Sequence, residues 1–249
     1  MKILNIKNLN PAGLNEILSF CLKMLSDGKG AFLIPMNPIK VMKARKHPDF
    51  QDIIDRADWV FPDAVGMKWA ASLLYGEKIS LTPGYRLMFS LLEQAEKYGH
   101  SVYFLGTTNE ILEIADWKLR EIHPKLKIAG CHNGFFSEDE ETNIFREIAN
   151  LKPDYVFVAM GEYKQEKIIW KLRQVYPKAI YLGVGGSIDL IAGKQPNPPE
   201  WIRKNHLEWI YRFFRQPSRA PRFKPLPIFL ILLCLEKVRL KAKSRKPPA

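Results

Sequence analysis

The sequence is poor in the residues that build metal centres and disulfide scaffolds. Its three cysteines, Cys21, Cys131 and Cys234, are odd in number and show no CxxC spacing. A disulfide framework and a zinc ribbon are therefore poor readings, and a reducing cytosol suits the chain better. The five histidines are scattered without an HxxxH pair, so neither a dedicated metal site nor a metal cofactor is expected. Cys131 and His132 adjoin, yet neighbours on a strand point to opposite faces, which argues against a dyad there. The N-terminal stretch MKILNIKNLNPAGLNEI lacks the continuous apolar segment of a secretory signal, which again points to the cytosol. Spanning a bilayer takes about 20 apolar residues, whereas the apolar run from Leu226 to Leu235 holds ten. No internal repeat and no low-complexity linker precedes residue 195.

What is present is a folded globule with charge gathered at one end. The 249 residues are 47% hydrophobic and 26% charged, enough for one large domain or one and a half ordinary ones. Between Trp201 and Ala249 stand thirteen Lys and Arg against two acids, Glu208 and Glu236, a net charge of +11. The first 200 residues carry 25 basic and 24 acidic side chains, a net of +1. QPNPPEW marks the composition break, so residues 1–194 are read as one domain and 195–249 as a cationic appendage. The appendage interleaves four arginines with five aromatics in EWIYRFFRQPSRAPRF, then continues into LPIFLILLCL and the basic KVRLKAKSRK. A solvated basic helix or a nucleic-acid contact would explain the charge alone. Docking on an anionic membrane surface explains both the charge and the apolar run.

The domain alternates helical and strand patterns. Asn15–Ser26 has helical spacing and closes at Gly28 and Gly30; AFLIPMN then reads as a buried strand running into a loop. Helices are predicted over Pro48–Ala57, Met67–Tyr75, Tyr85–Tyr98, TNEILEIADWKLREIHP with Thr108 or Asn109 as cap, Glu138–Leu151 and KQEKIIWKLRQVYP. Between them WVFP, SVYFLG, KIAGCHNGFF, YVFVAMG and AIYLGVG read as strands. This order implies an α/β domain, a mostly parallel sheet with helices on both faces.

Ligands of such sheets bind beyond the carboxyl ends of the strands. The loops to inspect are therefore Pro35–Pro38, Pro62–Gly66, Gly106–Asn109, Gly161–Gln165 and Gly183–Asp189. A nucleotide phosphate would lie on backbone N–H groups near Gly106 or Gly185–Gly186. GVGGSID departs from GxGxxG, which counts against a dinucleotide, and tight strand-to-helix packing explains it equally well. Asp63 follows an apolar strand, where it suits a general base. On local spacing the commoner role is an N-cap for the helix near Met67. Glu166 falls in a first helical turn, where the helix dipole favours it.

Three ordered blocks, MGEYKQE, GVGGSIDLIAG and LEWIYRFFRQPSRAPRF, resemble the bacterial glycosyltransferases of the WecG/TagA/CpsF type, and the resemblance runs from about Ala31 to Phe223. Gly161, Gln165 and Glu166 match the first family pattern; Gly183, Gly185, Gly186 and Asp189 match the second. Leu207, Glu208, Trp209, Arg212, Pro217, Arg219 and Arg222 match the third. The resemblance implies a Rossmann-like fold and an inverting, metal-independent enzyme of cell-surface polysaccharide assembly. Such enzymes move N-acetylmannosamine or its uronic acid from UDP to a polyprenyl-diphosphate-linked acceptor. It places the base on Asp63 and an active-site asparagine on Asn37, and so favours base over cap for Asp63. Asn37 and Gln165 are then expected against sugar or acceptor hydroxyls, Gly106, Gly185 and Gly186 against the nucleotide, and Arg212, Arg219 and Arg222 on phosphate. Arginines suit the two diphosphates where no metal-ligand cluster stands.

The chain departs from the family pattern at Pro35 (threonine), Ala64 (glycine), Leu81 (arginine), Arg86 (aspartate) and Tyr163 (proline). Those changes imply a donor or acceptor other than that of the best-known members. The expected place is the cytoplasm, peripheral on the inner face of the membrane, as a monomer or homo-oligomer without nucleic acid. The rival reading is a non-catalytic nucleotide- or nucleic-acid-binding protein of the same fold.

Overall fold

The computed structural model describes residues 1–194, 199–200, 202, 211, 221 and 223–244. The expected boundary after Lys194 falls at residues 195–198, outside the described ones. The apolar runs form six parallel strands: β1 (Ala31–Met36), β2 (Trp59–Pro62), β3 (Ser101–Gly106), β4 (Lys127–His132), β5 (Tyr155–Ala159) and β6 (Ile180–Gly183). Their order across the sheet is β2-β1-β6-β5-β3-β4, every pairing parallel. β1, β5 and β6 are buried along their whole length, as strands covered on both faces must be, which is why they read as unbroken apolar runs. β4, at one edge, is partly exposed. The other edge is covered where Leu9 pairs with Val60 and the Asn10 N–H reaches the Val60 carbonyl at 2.7 Å.

The amphipathic segments form the covering helices. One face carries α2 (Pro38–Lys46), α3 (Pro48–Asp55), α4 (Val65–Tyr75), α7 (Glu138–Leu151) and α8 (Lys164–Val175). The opposite face carries α1 (Leu14–Ser26), α5 (Gly84–Tyr98), α6 (Asn109–Ile122) and the short α9 (Ser187–Ile191). Thr108 caps α6 as expected, its Oγ1 accepting the Ile111 N–H at 3.4 Å. After β1 the chain turns to one face and after the adjacent β6 to the other, which makes their carboxyl ends the switch point of the sheet, where ligands of such folds bind.

The sequence reading missed α2. Its segment, PIKVMKARK, has no clean apolar stripe because Lys40 is turned into the protein, 2% exposed. The C-terminal apolar run is part of α10 (Leu226–Ser244). One side of α10 packs on α4 and α2, burying Phe229 and Leu233, and Lys237 Nζ reaches the Leu74 carbonyl at 3.0 Å. Its other side leaves Ile228, Leu230, Ile231, Leu235 and Val238 more than half exposed. Among the described residues no helix is long and apolar enough to cross a membrane.

Candidate active site

Asp63 stands one residue beyond β2, its N–H bonded to the Met36 carbonyl of β1 at 2.9 Å. Its carboxylate is not a cap for α4, whose N-cap is Ala64 without a side-chain bond. Asp63 Oδ1 instead accepts the N–H of Gly84 at 2.6 Å. Gly84 is the first residue of α5, so the aspartate satisfies a helix N-terminus 21 residues away in sequence. That bond anchors one carboxylate oxygen at the strand ends. The 82–84 segment is tied in beside it, with the Thr82 N–H on the Pro62 carbonyl at 3.0 Å.

Asn37 opens α2. Its Oδ1 accepts the Lys40 N–H at 2.9 Å, and its Nδ2 donates to Glu162 Oε1 at 3.3 Å. Lys43 Nζ meets the other Glu162 oxygen at 3.5 Å and the Glu162 carbonyl at 3.3 Å. The ends of β1 and β5 are thereby bridged across β6. Tyr163, next in the chain, has φ +77°, a region non-glycine residues seldom occupy. A proline, fixed near −65°, could not stand there in this conformation. The turn is held by the rings of His47 and Phe50, 4.8 and 5.0 Å away, and by the Tyr163 hydroxyl on Asp49 at 2.6 Å. The Lys167 ammonium and that hydroxyl hold the Asp49 carboxyl down at about 2.

Behind the turn lies a buried polar group. Glu166, 1% exposed, faces Lys40 Nζ at 2.8 Å with Oε1 and accepts the Tyr163 N–H at 2.5 Å with Oε2. Gln165, 2% exposed, donates from Nε2 to Glu166 Oε1 at 2.9 Å and accepts the Gly185 N–H on Oε1 at 3.1 Å. Gly183 leaves room for that amide: a Cβ there would lie 2.4 Å from Gln165 Nε2. Gly106 has φ +129°, and a Cβ on it would lie 2.4 Å from the Ala159 carbonyl oxygen, so only glycine ends β3 in this way.

A family model described as "Glycosyl transferase WecG/TagA/CpsF family" matches residues 1–243. The chain belongs to that family. It is therefore a glycosyltransferase. The chain is 32% identical over 233 residues to the N-acetylglucosaminyldiphosphoundecaprenol N-acetyl-β-D-mannosaminyltransferase of Bacillus spizizenii, covering 92% of this chain and 90% of that one. Proteins with the same description are 30% identical in Bacillus subtilis, over 98% and 94% of the two chains, and 33% identical in Staphylococcus aureus, over 84% and 82%. The rival non-catalytic reading finds no support in these matches.

Within this WecG/TagA/CpsF glycosyltransferase, Asp63, Asn37, Gly106, Gln165, Gly185 and Gly186 all fall at the carboxyl ends of the strands or immediately behind them. Gly185 and Gly186 are partly exposed at the start of α9, whereas Gly106 and Gln165 are buried. Arg212, Arg219 and Arg222 lie outside the described residues. No group of three or more His, Cys, Asp or Glu among the described residues could hold a metal ion. Sequence reasoning overlooked Lys40, Lys43 and Glu162. Asn37-Pro38, an N-cap followed by proline at the first helical position, was the signal that could have found the first two.

Proposed function

We propose that the chain is an inverting glycosyltransferase of cell-surface polysaccharide biosynthesis. It moves an N-acetylmannosamine-type sugar or a related hexose from a UDP-sugar to a polyprenyl-diphosphate-linked acceptor. The observation that carries this reading is the match, over more than 80% of both chains, to relatives named for N-acetylmannosaminyl transfer to N-acetylglucosaminyldiphosphoundecaprenol. Asp63 is the base. It takes the proton of an acceptor hydroxyl while that oxygen attacks C1 of the donor sugar from the face opposite UDP; the bond from C1 to the diphosphate breaks, and UDP leaves with the electron pair. The carboxylate suits this role because it stands at the strand ends, anchored through one oxygen on the Gly84 N–H.

Asn37 stands beside the base for sugar or acceptor hydroxyls. Gln165 supports that same contact region from behind, and Gly106 and the Gly185–Gly186 turn form the backbone seat of the nucleotide, with the Gly185 N–H itself given to Gln165. Arg212, Arg219 and Arg222 bring positive charge to the diphosphates from residues 195–249, the appendage. The enzyme works on the inner face of the membrane. The exposed apolar row of α10 and the net +11 of the C-terminal segment are what a surface of anionic lipid would attract.

The test is UDP release from a panel of UDP-sugars by the full-length protein, with N-acetylglucosaminyl-diphospho-undecaprenol in liposomes. Acceptor-dependent release from one donor of the panel is expected. Silence across the panel from folded, liposome-bound protein would overturn the reading.

A further inference from the structure

We propose that Glu166 is a positioning residue of the transfer reaction, holding the Gly185–Gly186 turn in its ligand-receiving form through Gln165. The inference rests on the reading of that turn as the seat of the nucleotide. A carboxylate and an ammonium buried to 1% and 3% exposure are a poor device for stability, since an apolar pair of similar volume packs as well or better. What the charges provide is direction. Glu166 Oε1 receives both Lys40 Nζ and Gln165 Nε2, and Oε2 receives the Tyr163 N–H. The Gln165 amide therefore has one allowed orientation: its nitrogen faces the carboxylate and its oxygen faces the Gly185 N–H. Gly185 has φ +52°, a conformation an unpinned turn would readily leave.

The same network reaches the base. Lys40 Nζ also donates to the Pro35 carbonyl at 2.8 Å. Pro35 lies against Gly84, whose absent Cβ would be 3.4 Å from both Pro35 Cβ and Asp63 Oδ1. A single buried carboxylate thus ties the strand end that carries the acceptor chemistry to the turn assigned to the donor. Glu166 touches no substrate in this arrangement; it acts through Gln165 and Lys40.

The experiment compares the full-length protein with the double variant Lys40→Met/Glu166→Met. Three quantities are read: the melting temperature, hydrogen exchange at the Gly185 amide, and the dissociation constant for UDP. The double variant is expected to fold but to melt below the wild type, because the Tyr163 N–H, Gln165 Nε2 and the Pro35 carbonyl each lose a buried partner. Its Gly185 amide should exchange at least about tenfold faster and its UDP affinity fall by at least about tenfold, the loss of one hydrogen-bonded anchor. Gln165→Leu, which leaves the Lys40–Glu166 pair intact, should reproduce both changes and serves if the double variant does not fold. A folded variant of either kind with wild-type exchange at Gly185 and wild-type UDP affinity would overturn the proposal. Failure of the wild type itself to bind UDP would instead sink the nucleotide reading, while the exchange data would still report on the tie.

Discussion

The two sides of α10 call for opposite responses to substitution. Phe229 and Leu233 are 2% and 1% exposed against α4 and α2. Truncating either to alanine should destabilise the protein by about 2–5 kcal/mol, the usual range for a buried large-to-small change. Ile231 and Leu235 are 59% and 60% exposed, so changing them removes little internal packing. Full burial of such a side chain is worth about 1.5–3 kcal/mol. With roughly 60% of each still to be buried, the pair offers a membrane about 2–4 kcal/mol, or a factor of about 30 to 1000 in partitioning. Ile231→Asp/Leu235→Asp adds two negative charges facing anionic lipid and should reduce binding at least that much. The assay is co-sedimentation of full-length protein with anionic and with zwitterionic liposomes, alongside thermal melts. The expected result is an unchanged melting temperature with liposome binding lost. Wild-type co-sedimentation of this double variant would refute the assignment of that row to the membrane.

Three further outcomes follow from the geometry. Gly183→Ala puts a Cβ on the buried Gln165 amide, which must leave its bonds to Glu166 and Gly185 to make room; the overpacking should cost about 1–3 kcal/mol, while turnover falls further than the folded fraction. Equal losses of turnover and of folded protein would contradict it. Lys40→Met alone leaves the Glu166 carboxylate buried without its ammonium and should cost about 3–5 kcal/mol, measurable by urea unfolding. Asp49 is held at about 2, chiefly by the Lys167 hydrogen bond and next by the Tyr163 hydroxyl. Its folded pKa lies below its unfolded one, so its contribution is present above the ordinary carboxylate range and is lost as pH falls through about 2. Asp49→Asn should therefore flatten the acid side of the stability–pH curve and leave stability at neutral pH lower, which thermal melts from pH 7 to 2 would reveal.

The sheet and most of its helices were legible because their patterns are local. β1, β5 and β6 are apolar throughout, and α1, α5 and α6 carry one apolar face each, so run length and period identified them. α2 was not legible, because the residue that breaks its pattern, Lys40, is explained only by Glu166, far along the chain. Asp63 shows the same limit. Local spacing offered a cap for the next helix, whereas the carboxylate accepts from the first amide of α5, across a loop. The gathering of Asp63, Asn37 and Gly185 at one end of the sheet was readable from the rule that ligands bind at strand carboxyl ends. Glu162 was not, since nothing in its own neighbourhood announces that Asn37 and Lys43 will meet it.

The central claim is that Asp63 removes the acceptor proton, and the direct test is the turnover of Asp63→Asn in the full-length protein with donor and lipid-linked acceptor saturating. Asparagine keeps an oxygen able to accept the Gly84 N–H, so the α5 terminus and the fold should be retained. Turnover should fall by about 10²–10⁴-fold, the range for loss of a general base, with the melting temperature unchanged. Wild-type turnover from the folded variant would contradict the account.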